Sequence, residues 1–150
     1  MLACVFFIGG FLDIFHTMSF KGMPDFFVPN GASIPTTYWV IARSIMAVGF
    51  LLAACIRPDR TARISRWIVL ALSLLVSVML FYIVTFKTHL LPEFYIEGQG
   101  LTPLKVRAEY AIIVLQAAAV ALSVREYRRT ASEASILFAT ALIISIYSEL

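Results

Sequence analysis

Hydrophobic residues gather in five long runs along this chain, separated by shorter polar segments. A helix needs about 20 mostly apolar residues to cross the hydrocarbon core of a bilayer. Each run reaches or approaches that length, and none alternates as a strand does. Helices also satisfy their own backbone hydrogen bonds in lipid. The predicted helices are Leu2 to Phe20, about Thr37 to Ile56, Trp67 to Phe86, about Arg107 to Val124, and about Ser135 to Leu150.

The composition supports a membrane environment. Hydrophobic residues make up 61% of the chain and charged residues 14%, and the mean hydropathy is +0.89. Soluble domains contain about 25% charged residues, so this chain cannot cover a water-facing surface. We therefore predict an all-α, polytopic transmembrane helix bundle of about five helices, forming one domain over residues 1–150. The two cysteines, Cys4 and Cys55, show neither metal-site spacing nor a disulfide framework.

The loops between the predicted helices differ in charge. Arginines are dense in Arg57 to Arg66 and again in Arg125 to Arg129, whereas Lys21 to Thr36 and Lys87 to Val106 are longer and nearly charge-balanced. The positive-inside rule places the arginine-rich segments in the cytoplasm. The N-terminus is then cytoplasmic and the two longer loops face outward. Nucleic-acid binding is a weak explanation for these arginines, because each segment is short and held between helices.

The number of crossings determines the side of the membrane on which Leu150 lies. Five crossings that begin inside leave Leu150 outside. An effector domain in the cytoplasm, attached after this region, would need at least one further helix before it. We therefore expect the bundle to be part of a larger one, truncated at one or both ends.

Five ionisable residues within the predicted spans attract notice, because such residues are costly there and tend to be functional. The rise of about 1.5 Å per helical residue places all five in the outer half of the membrane. Asp13 and His16 are three residues apart and are expected to share a helix face. Arg43 is the expected partner of one or two carboxylates. The five are Asp13, His16, Arg43, Glu109 and Glu149.

A polar pocket beneath the outward loops is the simplest explanation, although each residue has a plainer one. Asp13 and His16 suit a structural hydrogen-bonded pair, and Arg43 suits contact with lipid headgroups. Glu109 suits the first turn of its helix, and Glu149 suits a position at the membrane interface. A metal ion such as iron, manganese or zinc is a further hypothesis, with one imidazole and three carboxylates as ligands. Its ligands would be Asp13, His16, Glu109 and Glu149. A proton or a small ligand is left open.

The sequence contains neither a catalytic triad nor a phosphate-binding loop, so the chain is not expected to be an enzyme. Thr102-Pro103 is typical of a helix start, with proline at the first helical position. An intramembrane enzyme or carrier that uses the same carboxylates and His16 for proton or metal chemistry remains the alternative. A structural anchor, in which the polar cluster only holds helices together, is the third possibility.

Several stretches resemble the membrane-associated sensor domain of the third MASE type. The first contains Asp-x-x-His-Thr-x-x-x-Lys-Gly-Met, and the second is similar to the Trp-x-x-x-Arg of that family. The likeness extends over essentially the whole chain. The stretches are Leu12 to Pro24, Trp39 to Arg43, Gly100 to Tyr110, and Ser148 to Leu150.

The resemblance implies a prokaryotic sensory module in the inner membrane, N-terminal to a histidine kinase, a diguanylate cyclase or a related output domain. We expect partners to be the lipid bilayer, that output domain and a second copy in a homodimer, and no nucleic acid. The chain departs from the family in lacking an output domain and in having fewer helices. The implied signal-perception residues are Asp13, His16, Lys21, Arg43, Lys105, Glu109 and Glu149. The signal is a ligand, an ion or a redox change.

Overall fold

Five α-helices make up most of the described part of the chain, which confirms the predicted all-α bundle. The computed structural model describes residues 2–56 and 65–149, apart from the side chain of Glu149. Most of the predicted loop Arg57 to Arg66 lies outside these residues. The elements are α1 (Leu2–Met18), α2 (Ser33–Cys55), α3 (Arg66–Phe86), a 3₁₀ turn (Thr88–Leu90), β1 (Tyr95–Ile96), β2 (Gly100–Leu101), α4 (Pro103–Thr130) and α5 (Glu133–Glu149).

The lengths of the helices are those of a multi-pass membrane protein. Three described helices, α2, α3 and α4, are long and apolar enough to cross a bilayer. Helices α1 and α5 are apolar and contain 17 residues each, which is at the short limit for a span. Most large side chains of α3 are exposed, including Leu75 and Met79. Lipid is therefore the expected solvent of that helix.

Two helices begin earlier than hydropathy predicted, because their first turns are polar. Helix α2 begins at Ser33 rather than near Thr37, and α4 begins at Pro103 rather than near Arg107. The start at Thr102-Pro103 is confirmed: the Thr102 hydroxyl accepts a hydrogen bond from the Lys105 backbone N–H at 3.3 Å. A side-chain cap of this kind satisfies one of the four N–H groups that a helix leaves open at its start.

Helix α2 lies at the centre of the bundle. It contacts α1, α4 and α3, while α5 packs mainly on α4. Helices α4 and α5 run antiparallel, since only a short turn at Ala131 joins them, with φ of 51°. The core between these helices is aliphatic and aromatic. It contains Val5, Phe50, Ala119 and Leu142, from α1, α2, α4 and α5 respectively.

Glycine allows α1 and α2 to approach each other closely. A Cβ at Gly49 would lie 2.8 Å from Cγ1 of Val5, and a Cβ at Gly9 would lie 2.8 Å from Sδ of Met46. Small residues at helix interfaces serve the same purpose in membrane proteins generally. The two contacts hold α1 against α2 at two positions along the helix axis.

Tyr38 joins the central helix to α3. Its side chain is 1% exposed, and its hydroxyl donates to the Phe81 carbonyl at 3.2 Å. The Thr85 hydroxyl lies 2.6 Å from the Tyr38 hydroxyl oxygen and can donate a hydrogen bond to it. A buried phenol needs such partners, because an unsatisfied hydroxyl in an apolar interior is costly.

The two ends of the bundle differ in chemistry. At the loop end, the α1–α2 loop (residues 19–32) meets the α3–α4 loop (residues 87–102), in which β1 and β2 form an antiparallel hairpin. Gly98 and Gly100 have φ of 83° and 90°, which favours glycine. At the opposite end, here called the arginine end, α4 finishes with Arg125, Arg128 and Arg129, and α3 begins with Arg66.

The close approach at Gly49 predicts that Gly49→Ala destabilises the bundle. The added methyl group overlaps Val5, and overpacking of this kind costs about 1–3 kcal/mol. Alanine otherwise favours a helix by about 1 kcal/mol over glycine. Thermal unfolding of the purified protein in detergent measures the difference.

Gly10→Ala is the matched control, because outside the adjoining helix backbone no atom of the described residues lies within 4 Å of a Cβ at Gly10. Its melting temperature should equal or slightly exceed that of the wild type. Adding Val5→Ala to Gly49→Ala should restore part of the loss. Equal melting temperatures for Gly49→Ala and Gly10→Ala would show that the helices do not touch there.

Candidate functional site

The seven residues implied in signal perception fall into two groups and two single positions. His16 and Lys21 line a cavity at the loop end. Arg43, Lys105 and Glu109 surround or adjoin the ring of Trp39, between α2 and α4. Asp13 is exposed on α1, and the backbone of Glu149 lies in the last turn of α5.

The loop-end cavity lies where three elements meet, and its volume is about 370 Å³. The end of α1, the start of α2 and the β1–β2 hairpin each contribute to its wall. Most of the lining is apolar, with a few polar groups, as in sites for small organic molecules. The lining residues are His16, Phe20, Lys21, Gly31, Ala32, Pro35, Thr36, Tyr95 and Leu101.

His16 is fixed in this wall by a hydrogen bond to the central helix. Its Nδ1 lies 2.8 Å from the carbonyl oxygen of Pro35, in the first turn of α2. A carbonyl only accepts, so Nδ1 carries the proton. The neutral ring then keeps Nε2 as an acceptor, and the protonated ring offers a second donor there. The bond holds the imidazole while leaving one ring nitrogen for another partner.

Positive charge in the cavity wall comes from two sources, while the Glu97 carboxylate lies 3.3 Å from the Cβ position at Gly31 in the same wall. The wall includes the first turn of α2, a helix of 23 residues, and the N-terminal end of a helix carries a partial positive charge. Ala32 occupies the N-cap position, and its methyl group cannot satisfy the open N–H groups of that turn. Lys21 adds a full positive charge to the same wall.

A second cluster joins α2 to α4 below the cavity. The Lys105 ammonium lies 4.8 Å from the centre of the Trp39 ring, and the Arg43 guanidinium carbon lies 6.0 Å from it. Lys105 also forms an ion pair with Glu109, one turn further along α4. The side chains of Lys105 and Glu109 are 13% and 23% exposed. Partial burial strengthens cation–π and ionic contacts relative to those at a wet surface.

Thr102 connects the hairpin to this cluster. Its backbone N–H donates to the Phe94 carbonyl at 3.0 Å, and its hydroxyl donates to the Glu93 carbonyl at 2.9 Å. The same hydroxyl accepts from the Lys105 N–H. The wall of the cavity and the first turn of α4 are therefore held together by one residue.

His89 lines a different cavity at the loop end, with a volume of about 390 Å³. Its wall is more polar and includes Glu93, Thr37 and Thr88. The His89 side chain itself is exposed. The two histidines of the chain thus belong to separate cavities.

Asp13 and His16 have different surroundings, although three-residue spacing predicted a shared face. Successive helical residues are about 100° apart, so the two side chains diverge by about 60°. The edge of the α1–α2 contact falls between them: His16 is half-buried, and Asp13 is exposed with its backbone carbonyl accepting from Thr17.

The hypothesis of a metal site gains no support from the residues that the structure describes. Within 2–56 and 65–149, no group of three or more His, Cys, Asp or Glu side chains could hold an ion. The predicted ligands include Glu149, whose side chain lies outside this set. The full ligand set is thus a prediction that the geometry does not test.

Sequence reasoning missed Tyr95 in the cavity wall and Gln116 in the core. Gln116 is 1% exposed, and its Nε2 donates to Ser145 on α5 at 3.4 Å. Among the described residues its Oε1 has no hydrogen-bond partner. A lone amide in an apolar run was the signal for Gln116. No signal marked Tyr95, since the fold of the hairpin alone brings it to the cavity.

Comparison with known proteins identifies one family. The model of the family MASE3, described as a membrane-associated sensor domain, matches residues 1–150. Neither the curated proteins nor the solved structures include a significant match.

The contacts of Lys105 predict that Lys105→Gln lowers the stability of the bundle. The substitution removes the cation from Trp39 and leaves the half-buried Glu109 without its ionic partner, at a cost of about 1–3 kcal/mol. Arg107→Gln removes an exposed cation from the same helix and should change stability by less than about 0.5 kcal/mol. Thermal unfolding of both variants in the same detergent compares them. Equal losses would argue against the Trp39 contact.

Proposed function

Because the chain belongs to the MASE3 family of membrane-associated sensor domains, we propose that it perceives a small organic anion in the loop-end cavity. Binding changes the packing of the helices, and the change reaches an output domain in the cytoplasm. The single observation that carries the proposal is the cavity of about 370 Å³ that His16 and Lys21 line. The chain is the input module and takes no catalytic step itself.

The lining indicates the class of ligand. Phe20, Tyr95 and Leu101 provide an apolar wall, which suits a hydrocarbon or aromatic body. His16, Lys21 and the open first turn of α2 suit a carboxylate or similar anionic group. A small carboxylic acid with an apolar body satisfies both parts of the wall.

Transmission follows from the connection between the hairpin and α4. A ligand that moves Tyr95 or Leu101 toward His16 also displaces Glu93 and Phe94, whose carbonyls are hydrogen-bonded to Thr102. The first turn of α4 then shifts against Trp39, and Lys105 changes its distance from the ring. A ligand shifts this equilibrium only as far as it binds one arrangement more tightly than the other.

The arginine end is proposed to face the cytoplasm of a prokaryotic cell, with the protein in the inner membrane. Support comes from Arg125, Arg128 and Arg129 at the end of α4, opposite the loop end. The output partner is proposed to be a histidine kinase or a diguanylate cyclase. We propose a homodimer as the working unit, which crosslinking in native membranes can measure.

The ligand proposal predicts that a small carboxylate stabilises the purified protein in lipid nanodiscs. A panel from acetate to benzoate is screened by thermal unfolding. At about a hundredfold excess over its Kd, a ligand adds about 2.7 kcal/mol to the stability of the folded state. His16→Ala and Lys21→Ala should each abolish or weaken the shift that the wild type gives.

His89→Ala is the matched control, because His89 lines the other loop-end cavity. It should respond to the same carboxylate as the wild type does. Loss of the response in His89→Ala but not in His16→Ala would show that the carboxylate binds in the cavity that His89 lines. An absence of any response across the panel would remove the anion proposal. Turnover or transport of a panel member in proteoliposomes would instead favour an enzyme or carrier.

The orientation predicts which cysteines an impermeant reagent reaches in intact cells. Cys55 is exposed at the arginine end, and Asp25 is exposed in the α1–α2 loop. In a Cys4→Ser background, a membrane-impermeant maleimide should spare Cys55. In the Asp25→Cys variant the reagent should label the new thiol.

Lysed cells serve as the control, since both positions should then react. If Cys55 is labelled in intact cells and the thiol at position 25 is protected, the orientation is the opposite of the one proposed. The ligand would then enter from the cytoplasm.

A further inference from the structure

We propose that a groove at the arginine end binds the headgroup of an anionic phospholipid. The groove lies between the end of α2 and the last turns of α4, and its volume is about 280 Å³. It is at the opposite end of the molecule from the loop-end cavity. Its lining residues are Ala54, Cys55, Ile56, Leu122, Arg125, Glu126 and Arg129.

The position of the groove matches the boundary between hydrocarbon and headgroups. On α4 the apolar run ends at Val124, and charged residues begin at Arg125. On the neighbouring helix the last apolar residues are Cys55 and Ile56. The groove spans this change on both helices, so half of it borders acyl chains and half borders the polar layer.

The charges of the groove suit a phosphate. Arg125 and Arg129 are four residues apart and therefore project from one face of α4. Glu126 offsets one of the two positive charges, which leaves the described residues of the lining with a net charge of +1. Guanidinium groups bind phosphate oxygens through paired hydrogen bonds. Basic pockets between transmembrane helices are typical sites for acidic lipids.

Backbone N–H groups already occupy some of the carbonyls at the neighbouring helix ends. The Ile56 N–H donates to the carbonyls of Leu52 and Ala53, at 3.2 and 3.3 Å, at the end of α2. The Ala131 N–H donates to the Tyr127 carbonyl at 2.8 Å at the end of α4. Backbone N–H groups thus take up three of the carbonyls at these helix ends, those of Leu52, Ala53 and Tyr127.

A lipid fits the groove better than free phosphate because of its apolar wall. Leu122 and Ala54 form the floor, and Ile56 is 52% exposed at the rim. Leu52, one turn earlier, is equally exposed and continues the apolar surface toward the bilayer centre. An acyl chain can lie along this surface while its phosphate meets Arg125 and Arg129.

The test compares the purified protein with phosphatidylglycerol and with phosphatidylcholine of the same acyl chains, by native mass spectrometry from detergent. Phosphatidylglycerol should remain bound in preference to phosphatidylcholine. In the double variant Arg125→Gln and Arg129→Gln, the apparent affinity for phosphatidylglycerol should fall by about tenfold or more, since each basic residue near an anionic surface contributes on the order of 1 kcal/mol.

The control is the double variant Arg66→Gln and Arg128→Gln. It makes the same change in charge at the same end of the molecule, outside the groove lining. Its affinity for phosphatidylglycerol should stay within about twofold of the wild type. An equal loss in both double variants, or equal retention of the two lipids by the wild type, would overturn the site.

Inorganic phosphate separates a lipid site from a free-phosphate site. We expect millimolar phosphate to leave the melting temperature of the delipidated protein unchanged. If phosphate alone stabilises the wild type but not the Arg125→Gln and Arg129→Gln variant, the groove binds the free ion and not a lipid. A folded variant that keeps its phosphatidylglycerol would likewise refute the proposal.

Discussion

The contact of α1 with the central helix sets the geometry at the loop end. Gly49 and Gly9 let the two helices approach each other, and the close approach carries the end of α1 to within hydrogen-bonding distance of the start of α2. The hydrogen bond between His16 and the Pro35 carbonyl lies across this same contact between α1 and α2. A wider separation would open that bond and enlarge the cavity that His16 lines. The packing of aliphatic side chains deep in the bundle therefore determines the shape of a polar site near its surface.

The two polar clusters use different means to stay together. At the cavity, a hydrogen bond from Nδ1 to the Pro35 carbonyl holds His16. At the α2–α4 contact, the aromatic face of Trp39 lies near two cations, and Glu109 neutralises Lys105. Charged groups at this depth require such partners, because lipid offers none. The first cluster thus depends on one hydrogen bond between helices, and the second on ionic and cation–π contacts.

The helices were largely predictable because apolar runs in a membrane protein must be helical. The early starts of α2 and α4 were not, since Ser33 and Pro103 begin turns that hydropathy scores as loops. Periodicity put Asp13 and His16 on one face, but only the position of α2 decides which of them is buried. The contact between Trp39 and Lys105 depends on which helices are neighbours. Hydropathy and charge patterns do not specify that arrangement, so this part of the site could not be predicted.

The length of α4 has a mechanical consequence. Its 28 residues extend about 42 Å, whereas the hydrocarbon core is about 30 Å thick. The helix must therefore tilt or project beyond the bilayer. A tilt of about 5° around its first turn would move its far end sideways by about 4 Å. A small rearrangement at Thr102 is thus converted into a larger lateral displacement of Arg129, and a thinner or thicker bilayer would bias the same angle.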